Sequence, residues 1–389
     1  MSAWSEMPIT FFFGAGASKA IAPDAPIGDD LLKEILHLNE GTSNEIVQEL
    51  LKFMNKVYNV RNIDVDPIPR IEDVLSLLDL YCHERLSLTR ELRYEDILKL
   101  KDNLIFLMCK VLETKLAPEL CPNNDVMRMF VGKLMEISNP KVSLISTNYD
   151  IVLDNELFRV KNFNYGIIVR SVLEPSHHLQ RGGADMWTGV GGADAYFKAQ
   201  ESLGWITSSI FNRGKIPLYK IHGSLNWLWC PRCQELDITA FEKGALRAQE
   251  RKYLCTSKMC TSPYETLIVS PTMFKVYDNR IIKETWERAE RAVSTSKFVI
   301  FIGYSLQDAD IHIRCMLTRA ISNSTPRPVI LVVNFYDEND NEERREEKRR
   351  KVEDTEKRYK HLFGDGIIFE RYGFSYFVSN MDAILNGLL

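Results

Sequence analysis

Four cysteines are spaced for metal chemistry. Cys230-Pro231-Arg232-Cys233 and Cys255-Thr256-Ser257-Lys258-Met259-Cys260 form C-x2-C and C-x4-C pairs, 21 residues apart. Two close thiolate pairs, each from a tight turn, are what a tetrahedral Zn2+ needs. Four sulfur ligands leave it no open position, so such a zinc is structural. Redox pairing of the same thiols is the alternative. Cys82, Cys109, Cys121 and Cys315 lack ligand spacing and read as core or surface thiols. A second set of residues sits directly behind apolar runs: Gly14-Ala15-Gly16-Ala17-Ser18, Thr147-Asn148-Tyr149-Asp150, His222-Gly223-Ser224, Gly303-Tyr304-Ser305 and Asn334. In the first of these, Gly14 and Gly16 allow a tight turn. The amides of Ala15 to Ser18 could then approach a pyrophosphate, with the positive end of a helix behind them. The third glycine of GxGxxG is missing, and a plain turn uses the same residues.

The elements that must position these groups are strands. Ile9–Phe13, Val142–Ser146, Leu218–Ile221, Thr266–Val269, Phe298–Ile302 and Val329–Val333 are short apolar runs of the kind found in a buried parallel sheet. Helical spacing alternates with them, at Lys283–Val293 and from about Asp308. Such alternation specifies an α/β fold, and in an open parallel sheet the C-terminal ends of the strands share the edge where ligands bind. A lone histidine after a strand is usually structural, but five polar strand ends on one edge read as a site.

Between the first two strands, residues 30–137 carry helical periodicity, as in Ile71, Val74, Leu75 and Leu78. Asp29 or Asp30 is placed to cap the first of these helices, and Asp66-Pro67-Ile68-Pro69 interrupts the series. Residues 155–215, with Gly182-Gly183 and Gly191-Gly192, read as loop-rich. Residues 337–360 are nearly continuous charge of mixed sign with i,i+4 pairs such as Glu346 and Arg350, which reads as a solvated helix or a partner-binding arm.

Bulk properties narrow the class. The chain has 389 residues, 45% hydrophobic and 26% charged, with a net charge of -4. That balance gives no general attraction to nucleic acid or anionic membranes. No apolar run reaches the length of a bilayer span, and the glycines after Phe13 interrupt any signal-peptide pattern. Cytoplasmic residence and no direct membrane binding are the expectations.

Taken in order, these motifs resemble those of the sirtuin superfamily. Gly14-Ala15-Gly16-Ala17-Ser18 is similar to its GAG-x-S phosphate loop, Thr147-Asn148-Tyr149-Asp150 to its Q-N-x-D motif, and His222-Gly223 to its catalytic H-G, with a zinc ribbon following. Gly303-Tyr304-Ser305 resembles the G-x-S loop near the adenosine ribose, and Asn334 the strand-end Asn near adenine. The likeness covers 9–30 and 140–335. It implies a Rossmann-like parallel sheet with helices on both faces, plus a helical insertion and a small zinc-ribbon module. The implied division is 1–29, 138–227 and 266–336 for the NAD-binding domain, 30–137 for the insertion, 228–265 for the zinc module, and 337–389 for a charged helix and C-terminal tail.

Departures from the family pattern steer the reading further. Thr147 stands where deacetylating members carry Gln, and Ala22-Pro23-Asp24-Ala25-Pro26-Ile27-Gly28 lacks their Phe-Arg. Ile268-Val269-Ser270-Pro271-Thr272 replaces the V-x-F-G-E segment that pairs with an acyl-lysine peptide, and Pro271 removes a donor such pairing would use. The chain looks more like the bacterial sirtuin-like NAD+ hydrolases of antiphage defence, similar in T-N-Y-D, H-G-S and the G-Y-S-x-x-D-x-D of Gly303–Asp310.

The resemblance implies NAD+ as substrate and roles along the edge. Asn148 would orient the ribose and a water. His222, a histidine and so a common proton acceptor near neutral pH, would accept a proton. Asp150 would hold the carboxamide, and Gly14, Ala15, Gly16, Ser18, Gly303, Ser305 and Asn334 would line the rest of the site. It further implies a homo-oligomer gated by itself or by a partner such as a HerA-type ATPase. An NAD+-dependent protein deacylase and a non-catalytic NAD+ or ADP-ribose-binding assembly subunit are the competing readings.

Overall fold

The computed structural model describes residues 3–26, 28–38, 42–88, 92–116, 121, 123–137, 141–173, 213–240, 253–257, 259–272, 278–334 and 342–389. The glycine pairs at 182–183 and 191–192 lie outside the described residues.

Seven strands form the main sheet: β1 (Ile9–Phe13), β2 (Val142–Ser146), β3 (Phe163–Asn164), β5 (Ile216–Lys220), β9 (Phe298–Ile302), β10 (Val329–Val333) and β11 (Ile368–Glu370). Their order is β11-β10-β9-β1-β2-β5-β3, and all neighbours run parallel. The central strands are apolar without alternation because both faces are covered. The pleat divides each of them between two cores. Phe11, Phe13, Leu144, Leu218, Ile300 and Leu331 enter one core; Phe12, Ile145, Val299, Phe301 and Val332 enter the other.

On the first face lie α1 (Ala15–Ile21), α2 (Leu31–Leu36), α3 (Thr42–Tyr58), α4 (Ile71–Glu84), α5 (Tyr94–Lys115), α6 (Asn124–Met135) and α7 (Val152–Val160). The helical region between β1 and β2 shares its core with the sheet: Leu32, Ile35, Leu75, Leu104 and Leu107 belong to the same cluster as Phe11 and Phe13. Asp30 stands at the N-cap of α2 but makes no side-chain capping bond. Part of the stretch that reads as loop-rich is ordered as α7, β3 and β4 (Ser171–Leu173). The second face is covered by α8 (Arg280–Thr295), α9 (Ile311–Ser322) and α10 (Glu342–Phe363), through Ala289, Val293, Ile313, Leu317, Tyr359 and Phe363.

The C-terminal residues depart from the expected tail. Within the charged α10, Val352, Thr355, Tyr359 and Phe363 recur at three- and four-residue spacing and are buried. β11 then adds the edge strand beside β10. After it, α11 (Gly373–Ser379) and α12 (Met381–Gly387) return to the first face, burying Phe374, Phe377, Val378, Met381 and Leu385 in its core. The end is fastened to the beginning, where the Trp4 indole donates to Asp382 Oδ1 at 2.9 Å.

A second sheet contains β4, β6 (Gly223–Cys230), β7 (Glu235–Thr239) and β8 (Glu265–Ile268) in the order β4-β7-β6-β8, with β6 antiparallel to both neighbours. Among the described residues no helix is long and apolar enough to cross a membrane.

Candidate active site

The strand registers align the expected site residues. Phe13 pairs with Ser146 and Ile302, Ser146 with Lys220, Ile302 with Val333, and Val333 with Glu370, so these strands end in one row. One more rung follows: Gly14 N donates to Ile302 O, Thr147 N to Phe13 O, Ile221 N to Ser146 O, Gly303 N to Val333 O and Asn334 N to Glu370 O, all at 2.8–3.1 Å. The five polar motifs therefore leave the sheet side by side. The chain order also reverses here, because β2 and β5 lie on one side of β1 while β9 and β10 lie on the other. The loops after β1 and β9 flank that switch point, where open α/β sheets bind ligands.

At the switch point, backbone meets backbone. A Cβ on Gly14 would lie 2.6 Å from Tyr304 Cα, and one on Gly16 would lie 2.8 Å from Gly303 O. Gly303 has φ +60°, and a Cβ there would sit 2.2 Å from Ala17 N. The Gly16 amide donates to Gly303 O at 2.8 Å and the Ala17 amide to Gly14 O at 2.9 Å. This corrects the sequence reading. The glycines are required by contact between two loops, and two of the four amides expected to meet a pyrophosphate are used within the fold. Ala15 is exposed at the tip of the turn, whereas Ser18 is buried.

The loop after β9 is braced from elements that sequence reasoning did not connect to the site. The Tyr359 hydroxyl donates to Tyr304 O at 2.9 Å, Arg358 Nε to Ser305 O at 2.9 Å, and Arg70 Nη2 to Gln307 Oε1 at 2.8 Å. Tyr304 itself donates to Asp310 Oδ2 at 2.9 Å. Burial raises both tyrosines well above the ordinary phenol range, reinforced at Tyr304 by the Asp310 carboxylate, so both hydroxyls act as donors.

Across the switch point, side chains make the contacts. Asn148 Nδ2 donates to Gly14 O and Ser18 Oγ, both at 3.0 Å. Since a carbonyl only accepts, the amide orientation is set: nitrogen toward the glycine loop, oxygen away from it. The Ser18 hydroxyl donates onward to Asp150 Oδ2 at 2.6 Å, and Val152 N donates to Asp150 Oδ1 at 3.0 Å. Asp150 thus braces Asn148 and satisfies the first amide of α7, with each oxygen engaged inside the protein rather than turned only toward a ligand.

His222 is buried at the corner between the two sheets. Gly223 has φ +77°, and a Cβ there would lie 1.8 Å from Leu267 O, so only glycine lets the chain turn from β5 into β6 against β8. His222 Nδ1 lies 3.2 Å from Thr147 O. The carbonyl accepts, which places the ring proton on Nδ1 and makes Nε2 the basic nitrogen. Tyr149 stacks on the imidazole at 6.1 Å, and Trp286 approaches at 6.3 Å while its Nε1 donates to Ile221 O at 2.7 Å. The Tyr149 hydroxyl donates to Val269 O at 2.7 Å, and Val269 N donates to His222 O at 2.9 Å.

The cysteines converge at the far end of β6. The Sγ atoms of Cys230, Cys233, Cys255 and Cys260 lie within 4.8 Å of one another, with Cys230 and Cys260 3.6 Å apart and Cys233 and Cys255 3.9 Å apart. Tetrahedral zinc with Zn–S bonds of about 2.3 Å has sulfur–sulfur edges of about 3.8 Å, so the four thiols fit such an ion and could hold it. Arg170 Nη1 and Nη2 both donate to Cys255 Sγ at 3.4 Å, and its other bonds fix Asp237 and Thr256. Burial works against this guanidinium, but the bond and charge of Asp237 prevail and raise its pKa. Cys109 and Cys121 are buried and Cys315 is exposed; burial pushes the Cys109 thiol up to about 12.

Comparison with known proteins identifies the family. No curated protein matches the chain. Solved sirtuin structures align over most of its length at low identity. One is a Sir2 in complex with the inhibitor EX-527, 2'-O-acetyl-ADP-ribose and deacetylated p53 peptide, with 11% identity, 97% of this chain and 93% of that chain covered, and a TM-score of 0.39. Another, concerned with the structural basis of sirtuin substrate affinity, has 11% identity, 89% and 92% coverage, and a TM-score of 0.34. A family model described as the SIR2-like domain matches residues 142–355, more than half of the chain. The protein belongs to the SIR2-like family.

Proposed function

We propose that the protein is an NAD+ glycohydrolase that cleaves NAD+ to nicotinamide and ADP-ribose and serves bacterial antiphage defence by depleting NAD+. Membership of the SIR2-like family supports NAD+-dependent chemistry of the sirtuin type. The hydrolytic reading rests on one observation: on adjacent strands, Asn148 is held with its amide oxygen away from the glycine loop, and His222 is held with Nε2 as its basic nitrogen.

The nicotinamide–ribose bond breaks with its electron pair leaving on a neutral nicotinamide, so no strong general acid is required. Water forms the new bond to the anomeric carbon. Asn148 Oδ1 orients the ribose or that water, and His222 Nε2 takes the proton released. In this scheme Ser18 and Asp150 hold Asn148, and the loops at Gly14 and Gly303, with Ser305 and Asn334, carry the rest of the dinucleotide. The four cysteines would hold structural zinc.

The engagement of Val269 disfavours the deacylase reading. Its amide and carbonyl are taken by His222 O and Tyr149, and Pro271 lacks a donor, so the segment after the zinc module has less backbone to offer a peptide. A homo-oligomer and a HerA-type ATPase partner are proposals that rest on family resemblance, whereas cytoplasmic residence is proposed from the sequence composition.

Chromatography of NAD+ incubated with the protein tests the function. The assay is run with and without the product of the adjacent gene, and without any acylated peptide. Release of nicotinamide and ADP-ribose is expected, with His222→Ala and Asn148→Ala each lowering it by about 10^2–10^4-fold while the thermal midpoint holds. Turnover that requires an acylated peptide would identify a deacylase. Binding of NAD+ without loss in either condition would identify an assembly subunit.

A further inference from the structure

Lys220 is the last residue of β5, two positions before His222, and its side chain is only 1% exposed. Its Nζ donates to Asp154 Oδ2 at 3.0 Å and also to the backbone carbonyl of Asp150. Asp154, on α7, is fully buried and accepts from the Tyr165 hydroxyl at 2.5 Å; that hydroxyl in turn accepts from Asn226 Nδ2 at 2.9 Å. Burial raises the Asp154 carboxyl and the facing ammonium opposes that rise, while burial and Asp154 keep Tyr165 protonated.

A buried ammonium is tolerated only when paired and hydrogen-bonded, and a pair that served stability alone could be replaced by apolar side chains. This one does more than face its carboxylate. Its bond to Asp150 O fixes the backbone whose side chain holds Ser18, and Ser18 holds Asn148. Through β5 the same residue leads directly into His222. A continuous chain of bonds therefore runs from Asn226 on β6 to Gly14 O, and Lys220 ties β5 to the loop after β2, the two segments that lead to the proposed reacting groups.

We propose that Lys220 is a positioning residue for the Asn148–His222 corner: its ammonium holds the loop 147–152 in the geometry that hydrolysis requires. This rests on the function proposed above. It uses no charge transfer to substrate; the side chain acts through Asp150.

Two variants test it. Lys220→Met removes the ammonium and leaves Asp154 buried without its counter-charge. Lys220→Met/Asp154→Asn removes both charges, which restores the thermal midpoint lost in the single variant. Hydrogen exchange is followed at the Asn148 and Val152 amides, which bond Ser146 Oγ at 3.1 Å and Asp150 Oδ1 at 3.0 Å. In the folded double variant these amides are expected to exchange at least about tenfold faster while β1 and β9 amides stay protected. NAD+ turnover should fall about 100-fold with KM little changed, as expected for a reacting group misplaced by about an ångström. A purely structural pair predicts that stability, protection and turnover recover together, and that result would overturn the proposal. So would wild-type turnover despite lost protection. Should the wild-type protein leave NAD+ intact both with and without the product of the adjacent gene, the hydrolase reading falls, and protection at Asn148 and Val152 alone decides the role of Lys220.

Discussion

The two halves of the strand-end edge are held in opposite ways. On the glycine side, the loops after β1 and β9 touch through backbone, at positions where a Cβ would lie 2.2–2.8 Å from a neighbouring atom. On the Asn148–His222 side, the loop after β2 is held by side-chain bonds: Ser18 and Asp150 tie it to α1, Lys220 ties it to β5, and Tyr149 ties it to Val269. Backbone contact admits no added atom and fails as a unit. A hydrogen-bonded network can lose one member and shift by degrees. The difference assigns shape to one half and adjustment to the other.

The sharpest way to break the contrast is to add atoms where none fit. Gly303→Val combines a positive φ with a clash against Ala17 N, and should destabilise the protein by about 2–6 kcal/mol. Thermal unfolding reads this, and a midpoint equal to wild type would show that the two loops are not in contact. Ser18→Ala tests the other half. It leaves Asp150 Oδ2 and one Asn148 hydrogen without their partner, and should lower NAD+ turnover by about 10–100-fold, the equivalent of about 1–3 kcal/mol, with a small change in the midpoint. Steady-state kinetics beside calorimetry separates the two effects. The smallest effect is expected at Tyr359→Phe, which keeps the buried ring but removes the bond to Tyr304 O. About 1 kcal/mol of stability should be lost, with a less than about tenfold rise in KM for NAD+ and little change in kcat.

Legibility followed the same division. Strands buried on both faces announce themselves as apolar runs, and the polar or glycine residues behind them mark their ends, so β1, β2, β5, β9 and β10 and their edge could be read. Thr266–Val269, expected in the same parallel sheet, is instead β8 of the second sheet, antiparallel to β6, and the short edge strands β3 and β11 gave no such apolar run. The cysteine pairs were equally plain because C-x2-C and C-x4-C spacing brings four sulfurs together from two tight turns. Reading failed where a residue's role depends on a distant partner. Lys220 looks like any lysine at a strand end until Asp154, 66 positions away, is seen beside it. Tyr359 and Phe363 were hidden because the surrounding charge of α10 outweighs a stripe of four buried residues. The glycines were recognised as special, but a close approach to another loop and one to a phosphate require the same absence of Cβ. Only the position of Gly303 separates them.

Because the strands stop in one row, the edge measures what can lie along it. From β5, which leads into His222, to β10, which ends at Asn334, there are four inter-strand steps. At about 4.8 Å per step this is about 19 Å. A mononucleotide laid along the row reaches one half of it. A molecule that touches both ends must span that length, so under the proposed function the row selects its substrate by reach.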